Sequence, residues 1–418
     1  MHNYQETLIL KKGNQCHGFF IKAAMLDNAL LLFAHELFTS YGTYCHPGFS
    51  SSRFTQEEFF SCLKSFDESG LYQKSVIGTS GEGRPLAMYT VGSGPVKVLL
   101  WSQMHGDEPT ATMAICDIFG FLRNNPSHEA VQSIREKLTL YFLPMLNPDG
   151  AERFTRRTAQ LIDMNRDALA LVTPEAQILK SVRDSMQPEF GFNLHDQDPR
   201  LTAGAAKKIT AIALLAPAAD ELRSDTPVRL RAKHVASVFA EVLMQFIDGH
   251  IAKWDDMFEP RAFGDNIQRW GTSTVLVESG GWPDDPNKFF IRKLNAVGLL
   301  CSLFAIATGE YASSDLEIYE RIPFNTKYAF DYLIRNATYI AHEDTNPIHV
   351  DVGINYETSV QELTGKTVRL ARVVDVGDLR NFTAFQECSA DGLLLDARHI
   401  VIDKTFPAEE VNQILKQR

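Results

Sequence analysis

The chain has 418 residues, 44% of them hydrophobic, enough to bury a large core and by length alone consistent with two or three domains. A formal net charge of −11 at pH 7 argues against nucleic acid or an anionic membrane surface as the main partner. Cys16, Cys45, Cys62, Cys116, Cys301 and Cys388 stand singly with no C-x-x-C pair, which argues against a cysteine metal site and for a reduced, cytoplasmic setting.

In chain order, residues 1–70 read as a helical extension. Apolar residues recur at helical spacing over Leu26 to Leu37 and Thr55 to Phe66, the second patch opening on the capping-box pattern Thr55-Gln56-Glu57-Glu58. No apolar run approaches membrane length, Ala29 to Ala34 being far too short, and no signal-peptide pattern follows Lys11 and Lys12. Residues 71–312 read as an α/β domain, a mixed, largely parallel sheet flanked by helices. Val96 to Trp101, Leu138 to Leu146, Phe190 to Leu194 and Thr274 to Val277 are its apolar strands, and Thr110 to Leu122, Val228 to Ile247 and Lys288 to Ala307 its helices. Residues 313–345 form a connector with an aromatic-rich stretch from Ile318 to Tyr339. Residues 346–418 then alternate at Val350 to Val352, Thr367 to Val374, Leu393 to Leu395 and His399 to Ile402, predicting a small β module. Cys116 and Cys301 fall in apolar helical runs, as small buried hydrophobes would.

Polar motifs sit where the apolar strands end. His105-Gly106-Asp107-Glu108 lies between a strand and a helix opened by Pro109; Asn147-Pro148-Asp149-Gly150 ends the next strand; His195 and Glu278 end two more. In open α/β sheets the ligand crevice lies at the carboxyl ends of the strands, so these motifs share one rim. Two histidines and a carboxylate are a recurrent three-ligand set for catalytic zinc, which leaves one position for water. A further carboxylate can move the water's proton, and an arginine can face negative charge that develops during attack.

Together these motifs resemble the zinc carboxypeptidase family, in particular its compact, bacterial-type members, over about Leu71 to Gly309. Gly78 to Pro85 is similar to the hairpin that opens that fold. The resemblance implies one zinc per chain held by His105, Glu108 and His195, with Glu278 as general base. It implies that Arg156 faces the scissile carbonyl, that Asn165 and Arg166 hold a substrate carboxylate, and that Asp163 orients His105 as an outer-shell carboxylate. The chain departs from the family in having no tyrosine from Asp196 to Val277, where a mobile tyrosine is usual. Trp254, Phe258, Phe263 and Trp270 either line the pocket or fill the core there.

Plainer roles compete for several residues. Glu278 could be an ordinary strand-end carboxylate, Asn165 a turn residue and Asp107 a loop carboxylate. Arg153 and Arg157 read as a solvated basic face, and His342, His349 and His399 as surface or structural histidines. Asp196-Gln197-Asp198 reads as an acidic rim that would disfavour acidic substrates or pair with basic ones. The expected activity is a zinc peptidase cutting an amide near a substrate carboxylate. The alternatives are an N-acyl amino acid amidohydrolase resembling the succinylglutamate desuccinylase and aspartoacylase branch, and a zinc-binding recognition module without turnover. Asn147 to Gly150 favours the peptidase, and Glu278 counts against the module, which needs no base.

Overall fold

The computed structural model describes residues 28–340, 345–360, 367–395 and 402–411. Cys16, His342, His399 and the first two residues of the expected Leu26 to Leu37 patch, Leu26 and Asp27, lie outside them. An eight-stranded mixed sheet carries the order β1 (Gln73–Thr79), β2 (Pro85–Val91), β4 (Leu138–Leu143), β3 (Val96–Ser102), β5 (Phe190–Asp196), β9 (Ser273–Ser279), β7 (Ile212–Leu215), β8 (Ile251–Lys253). β4, β3, β5 and β9 run parallel, so the motifs at their ends do meet on one rim. The chain leaves β3 for β4 on one side and later returns to place β5 on the other. The β3/β5 boundary is therefore a topological switch point.

Alternation along the strands fills both faces. Val98, Leu100, Phe190, Phe192, Leu194, Val275 and Val277 face the larger core, formed with the helices Asn28–Thr39, Thr110–Asn124, Pro227–Ile247 and Phe289–Thr308. Leu99, Trp101, Tyr141 and Leu143 face a smaller core under Pro174–Met186 and Phe263–Arg269. Cys116 and Cys301 are fully buried in the larger one.

Three expectations need correction. Helices Asn28–Thr39 and Gln56–Asp67, placed in a separate extension, contribute Leu30, Phe33, Leu37, Phe59, Leu63 and Phe66 to the main core. The capping box at Thr55 and Glu58 is present. Second, the 20-residue helix Phe289–Thr308 is long and apolar enough to cross a membrane by length and composition. Arg292, Lys293 and Asn295 interrupt the run in sequence, and burial between neighbouring helices explains its apolar character. Third, the segment expected as a connector supplies a strand.

β6 (Thr202–Ala203) pairs with β10 (Asn325–Thr326), and β11 (Ala329–Tyr339) is a central strand of the C-terminal sheet. That sheet has the order β14 (Thr383–Ser389), β11, β12 (Ile348–Val360), β13 (Thr367–Gly377), β15 (Thr405–Pro407). Its core includes Ile334, Val352, Ile354, Ala371 and Val373, one side chain in two along each strand. The sheet joins the larger domain through Arg200 and Asp331 at 3.3 Å and, just before it in the chain, through Asn325, whose amide donates to Gln197 Oε1 at 2.7 Å.

The N-terminal segment is fastened by a buried ion pair. Arg292 donates through Nε and Nη2 to the two oxygens of Asp117, at 2.7 and 2.5 Å. Asp117 also accepts from the Tyr41 hydroxyl and the His46 N–H, and is fully buried. Arg292→Met would leave that carboxylate in the core without its counter-charge, a change that costs about 3–5 kcal/mol. Urea unfolding should show a loss on that scale; a loss well under 1 kcal/mol would mean that the pair does not anchor the segment.

Candidate metal centre

The three expected ligands converge at the switch point. His105 Nδ1 lies 2.7 Å from Glu108 Oε1, and His195 Nδ1 lies 2.7 Å from Glu108 Oε2. The two imidazole rings are 4.8 Å apart, and His105, Glu108 and His195 are all buried. They form a group able to hold a metal ion, the only one found among the described residues. Glu278 stands opposite His195 in the β5/β9 register, so strand alternation puts both side chains on the same face. Its Oε2 is buried without a partner among the described residues.

The loop geometry behind this convergence has local causes. After β3 and β4 the chain turns at Gln103 and Met145, both at φ 53°, a left-handed conformation uncommon for such residues. Two backbone bonds, Leu146 N–H to Ser102 O and Asn147 N–H to Gln103 O, staple the turns together. Gly106 and Gly150 then pass so closely that a Cβ on Gly106 would sit 2.0 Å from the Gly150 carbonyl carbon. Asn147 caps the short helix Pro148–Arg153 through the Gly150 N–H and donates to Arg156 O at 3.4 Å. Asp149, not singled out from the sequence, is fully buried and accepts from Ser80 Oγ, Glu82 N–H and Arg84 Nη1, which ties the β1–β2 hairpin to this loop.

The remaining expected residues surround the ligands. Asp163 accepts from His105 Nε2 at 3.1 Å and from Arg156 Nε at 3.0 Å. Arg156 Nη1 in turn lies 3.0 Å from His105 Nδ1 and 3.1 Å from Glu108 Oε1. Asn165 takes the Phe263 N–H on its amide oxygen, and Arg166 donates to Asn165 O at 2.8 Å while its Nε faces Glu259 at 3.4 Å. Arg153 and Arg157 turn outward, to Glu82 and to Leu161 O respectively. Phe263 fills the smaller core and does not line the site.

The acidic-rim reading of Asp196 to Asp198 does not hold. Strand alternation turns Asp196 to the helix side, where it accepts from Thr110 Oγ1 at 2.6 Å and Lys288 Nζ at 3.1 Å with its side chain 6% exposed. Gln197 is engaged by Asn325, and Asp198 pairs with Arg200. Lys288 also donates to Ser279 O, joining the strand ends that carry His195 and Glu278. Its distance from Asp196 in sequence hid this role.

Electrostatics suit a cation. Burial opposes the charging of Glu108, but His105 and His195 outweigh it and hold the carboxylate below its ordinary range. Burial likewise opposes charge on His105, yet Glu108 and Asp163 raise the imidazole to about 9. Burial and then the Glu108 charge push the Glu278 carboxyl well up. The Nδ1 atoms of both histidines aim at one carboxylate, and the guanidinium of Arg156 leans toward the same point, so that point attracts positive charge. A cation entering there would displace the proton that Glu108 and Asp163 hold on His105, and two imidazole nitrogens and a carboxylate are then donors matched to zinc. His105, Glu108 and His195 thus fit a metal.

A cluster of two histidines and one carboxylate with a further buried carboxylate beside it, set at the switch point of an α/β sheet, could hold one metal ion and place a proton acceptor next to it. Residues 62–185 match the family described as zinc carboxypeptidase. The chain is 30% identical over 166 residues to carboxypeptidase 2 of Trichophyton rubrum, covering 38% of this chain and 29% of that protein. It is 27% identical over 122 residues to carboxypeptidase SOL1 of Arabidopsis thaliana, covering 27% of this chain and 25% of that protein. Each match therefore spans under a third of the relative's length. A solved carboxypeptidase A-like chain from Shewanella denitrificans shares the fold, with a TM-score of 0.50 at 15% identity over 61% of this chain and 70% of that one.

If His105, Glu108 and His195 hold the metal, the purified protein should contain about one zinc per chain. His195→Ala should lose it, and Asp163→Asn should weaken affinity about 10- to 100-fold by freeing the His105 ring. Elemental analysis and chelator competition measure both, and equal zinc in wild type and His195→Ala would reject the ligand set.

Proposed function

We propose that the protein is a zinc-dependent peptidase that hydrolyses an amide bond next to a free substrate carboxylate. The observation that carries this reading is the placement of Glu278, buried and with an unpartnered oxygen, in register with His195 beside the ligand set. The family of residues 62–185 and the carboxypeptidase relatives support it. A recognition module would have no use for a buried unpaired carboxylate there, which costs stability.

Bound zinc would polarise a water and the scissile carbonyl. Glu278 takes the proton from the attacking water and returns it to the leaving amine, a task suited by a buried carboxyl whose proton affinity burial and the Glu108 charge increase. Arg156, with its side chain 43% exposed, can reach the charge that grows on the carbonyl oxygen while Asp163 holds its other edge. Arg166 and the amide NH2 of Asn165, whose oxygen is already engaged, hold the substrate carboxylate. Asp196 and Lys288 keep the two strand ends together. An N-acyl amino acid offers the same amide and carboxylate, but Asn147 to Gly150 follows the peptidase pattern.

Glu278→Gln should keep metal and fold yet lose several orders of magnitude in kcat, because the proton acceptor is gone. Near-normal turnover would place the base elsewhere. Arg166→Ala should chiefly raise KM, since it removes binding common to substrate and transition state. Arg156→Ala should lower kcat by roughly a hundredfold or more. Steady-state kinetics on a free-acid peptide and its C-terminal amide separate the two, and equal cleavage of acid and amide would reject the carboxylate clamp.

A further inference from the structure

The carboxylate clamp has a counter-ion that the sequence did not suggest. Glu259 Oε2 lies 3.4 Å from Arg166 Nε, the one ion-pair partner of Arg166 among the described residues. The same carboxylate is gripped more tightly by Arg261: Nε donates to Oε1 at 3.0 Å, Nη2 to Oε2 at 2.9 Å, and the Arg261 N–H to Oε1 at 3.1 Å. The loop that carries both is fastened to the clamp's own segment. Ala168 N–H bonds Arg261 O, Phe263 N–H bonds Asn165 Oδ1, and Glu259 N–H bonds Asp265 Oδ1. Glu259 and Arg166 therefore face each other by construction, with side chains 31% and 38% exposed and open to an incoming ligand.

We infer that Glu259 and Arg261 are positioning residues that set how much of the Arg166 charge is available to the substrate carboxylate. The inference rests on the reading that Arg166 binds that carboxylate. Glu259 alone would compete with substrate for Arg166, because two carboxylates cannot both take the same edge of one guanidinium. Arg261 draws the Glu259 charge into a fork of its own, and the fork is the better geometry of the two. The hydrogen bonds from Arg261, with the charge of Arg166 adding to them, hold the Glu259 carboxyl down to about 2, so it remains ionised at working pH. The loop thus supplies a fixed, half-neutralised negative charge beside the clamp.

The test is a mutant cycle read as KM against kcat on a free-acid peptide. Arg261→Ala should raise KM about two- to fivefold, the scale of a part-exposed ion pair, because Glu259 then turns fully onto Arg166. Glu259→Gln should lower KM by a similar factor, and Glu259→Gln combined with Arg261→Ala should cancel the rise seen with Arg261→Ala alone. On the C-terminal amide of the same peptide none of the three should move KM. A purely structural role predicts that both single variants impair activity and that the pair is worse than either, which would overturn the inference. So would a KM change of equal size on acid and amide in any variant. If wild type cuts acid and amide alike, the carboxylate clamp itself has failed, an outcome read from wild type alone.

Discussion

A carboxylate withdrawn from water is tolerable only when strong partners surround it, and Glu108 is withdrawn almost completely. Its two oxygens are shared out, one to each histidine, and this division brings residues from β3's loop and from β5 to a single point. The outer ring follows the same logic. Asp163 holds the far nitrogen of His105 and one edge of Arg156, so the guanidinium arrives pre-oriented at the place the ligands share. Removing any one of these groups leaves another buried charge or ring nitrogen without its complement. Such networks are retained as wholes.

The sheet supplies what side-chain chemistry cannot, namely position. Parallel strands lie about 4.8 Å apart, and His195 and Glu278 occupy facing rungs of one ladder, so their separation is set by backbone hydrogen bonding. Their direction is set by alternation, which sends the neighbours Asp196 and Ser279 to the opposite face. There Lys288 and Thr110 engage Asp196, and Asn295 donates to Ser279 Oγ. One face of the strand ends thus carries the candidate metal centre and the other fastens it to the helical layer.

How much of this was legible in the residues depended on range. Apolar runs ending in polar motifs announced β3, β4, β5 and β9 and the rim they share, because burial of a strand on both faces leaves a direct compositional trace. The His-x-x-Glu spacing and the later His195 and Glu278 were readable for the same reason. Interactions between segments far apart in sequence left no such trace. Nothing local to Asp196 reveals that Lys288 awaits it, nothing near Arg166 points to Glu259, and Asp149 looks like a turn residue until the hairpin beside it is in place. Strand β11 was misjudged because aromatic residues blur periodicity where tertiary packing decides, whereas the helix Phe289–Thr308 lies within one residue of its expected bounds. The helices near the amino terminus looked separable because sequence order alone does not show that Leu30 and Phe59 share a core with Leu300.

The seam between the two sheets bears on how such chains can be recombined. Asn325, on the β10 strand that precedes the C-terminal sheet, donates to Gln197, two positions beyond His195, while Thr210 donates to Asn325 and β6 pairs with β10. A chimera cut at the edge of the C-terminal sheet would transplant one half of this contact and leave the other behind. The exchangeable cassette is larger than the sheet: it must carry residues 197–210 with it, and its graft point lies inside the domain built on the eight-stranded sheet.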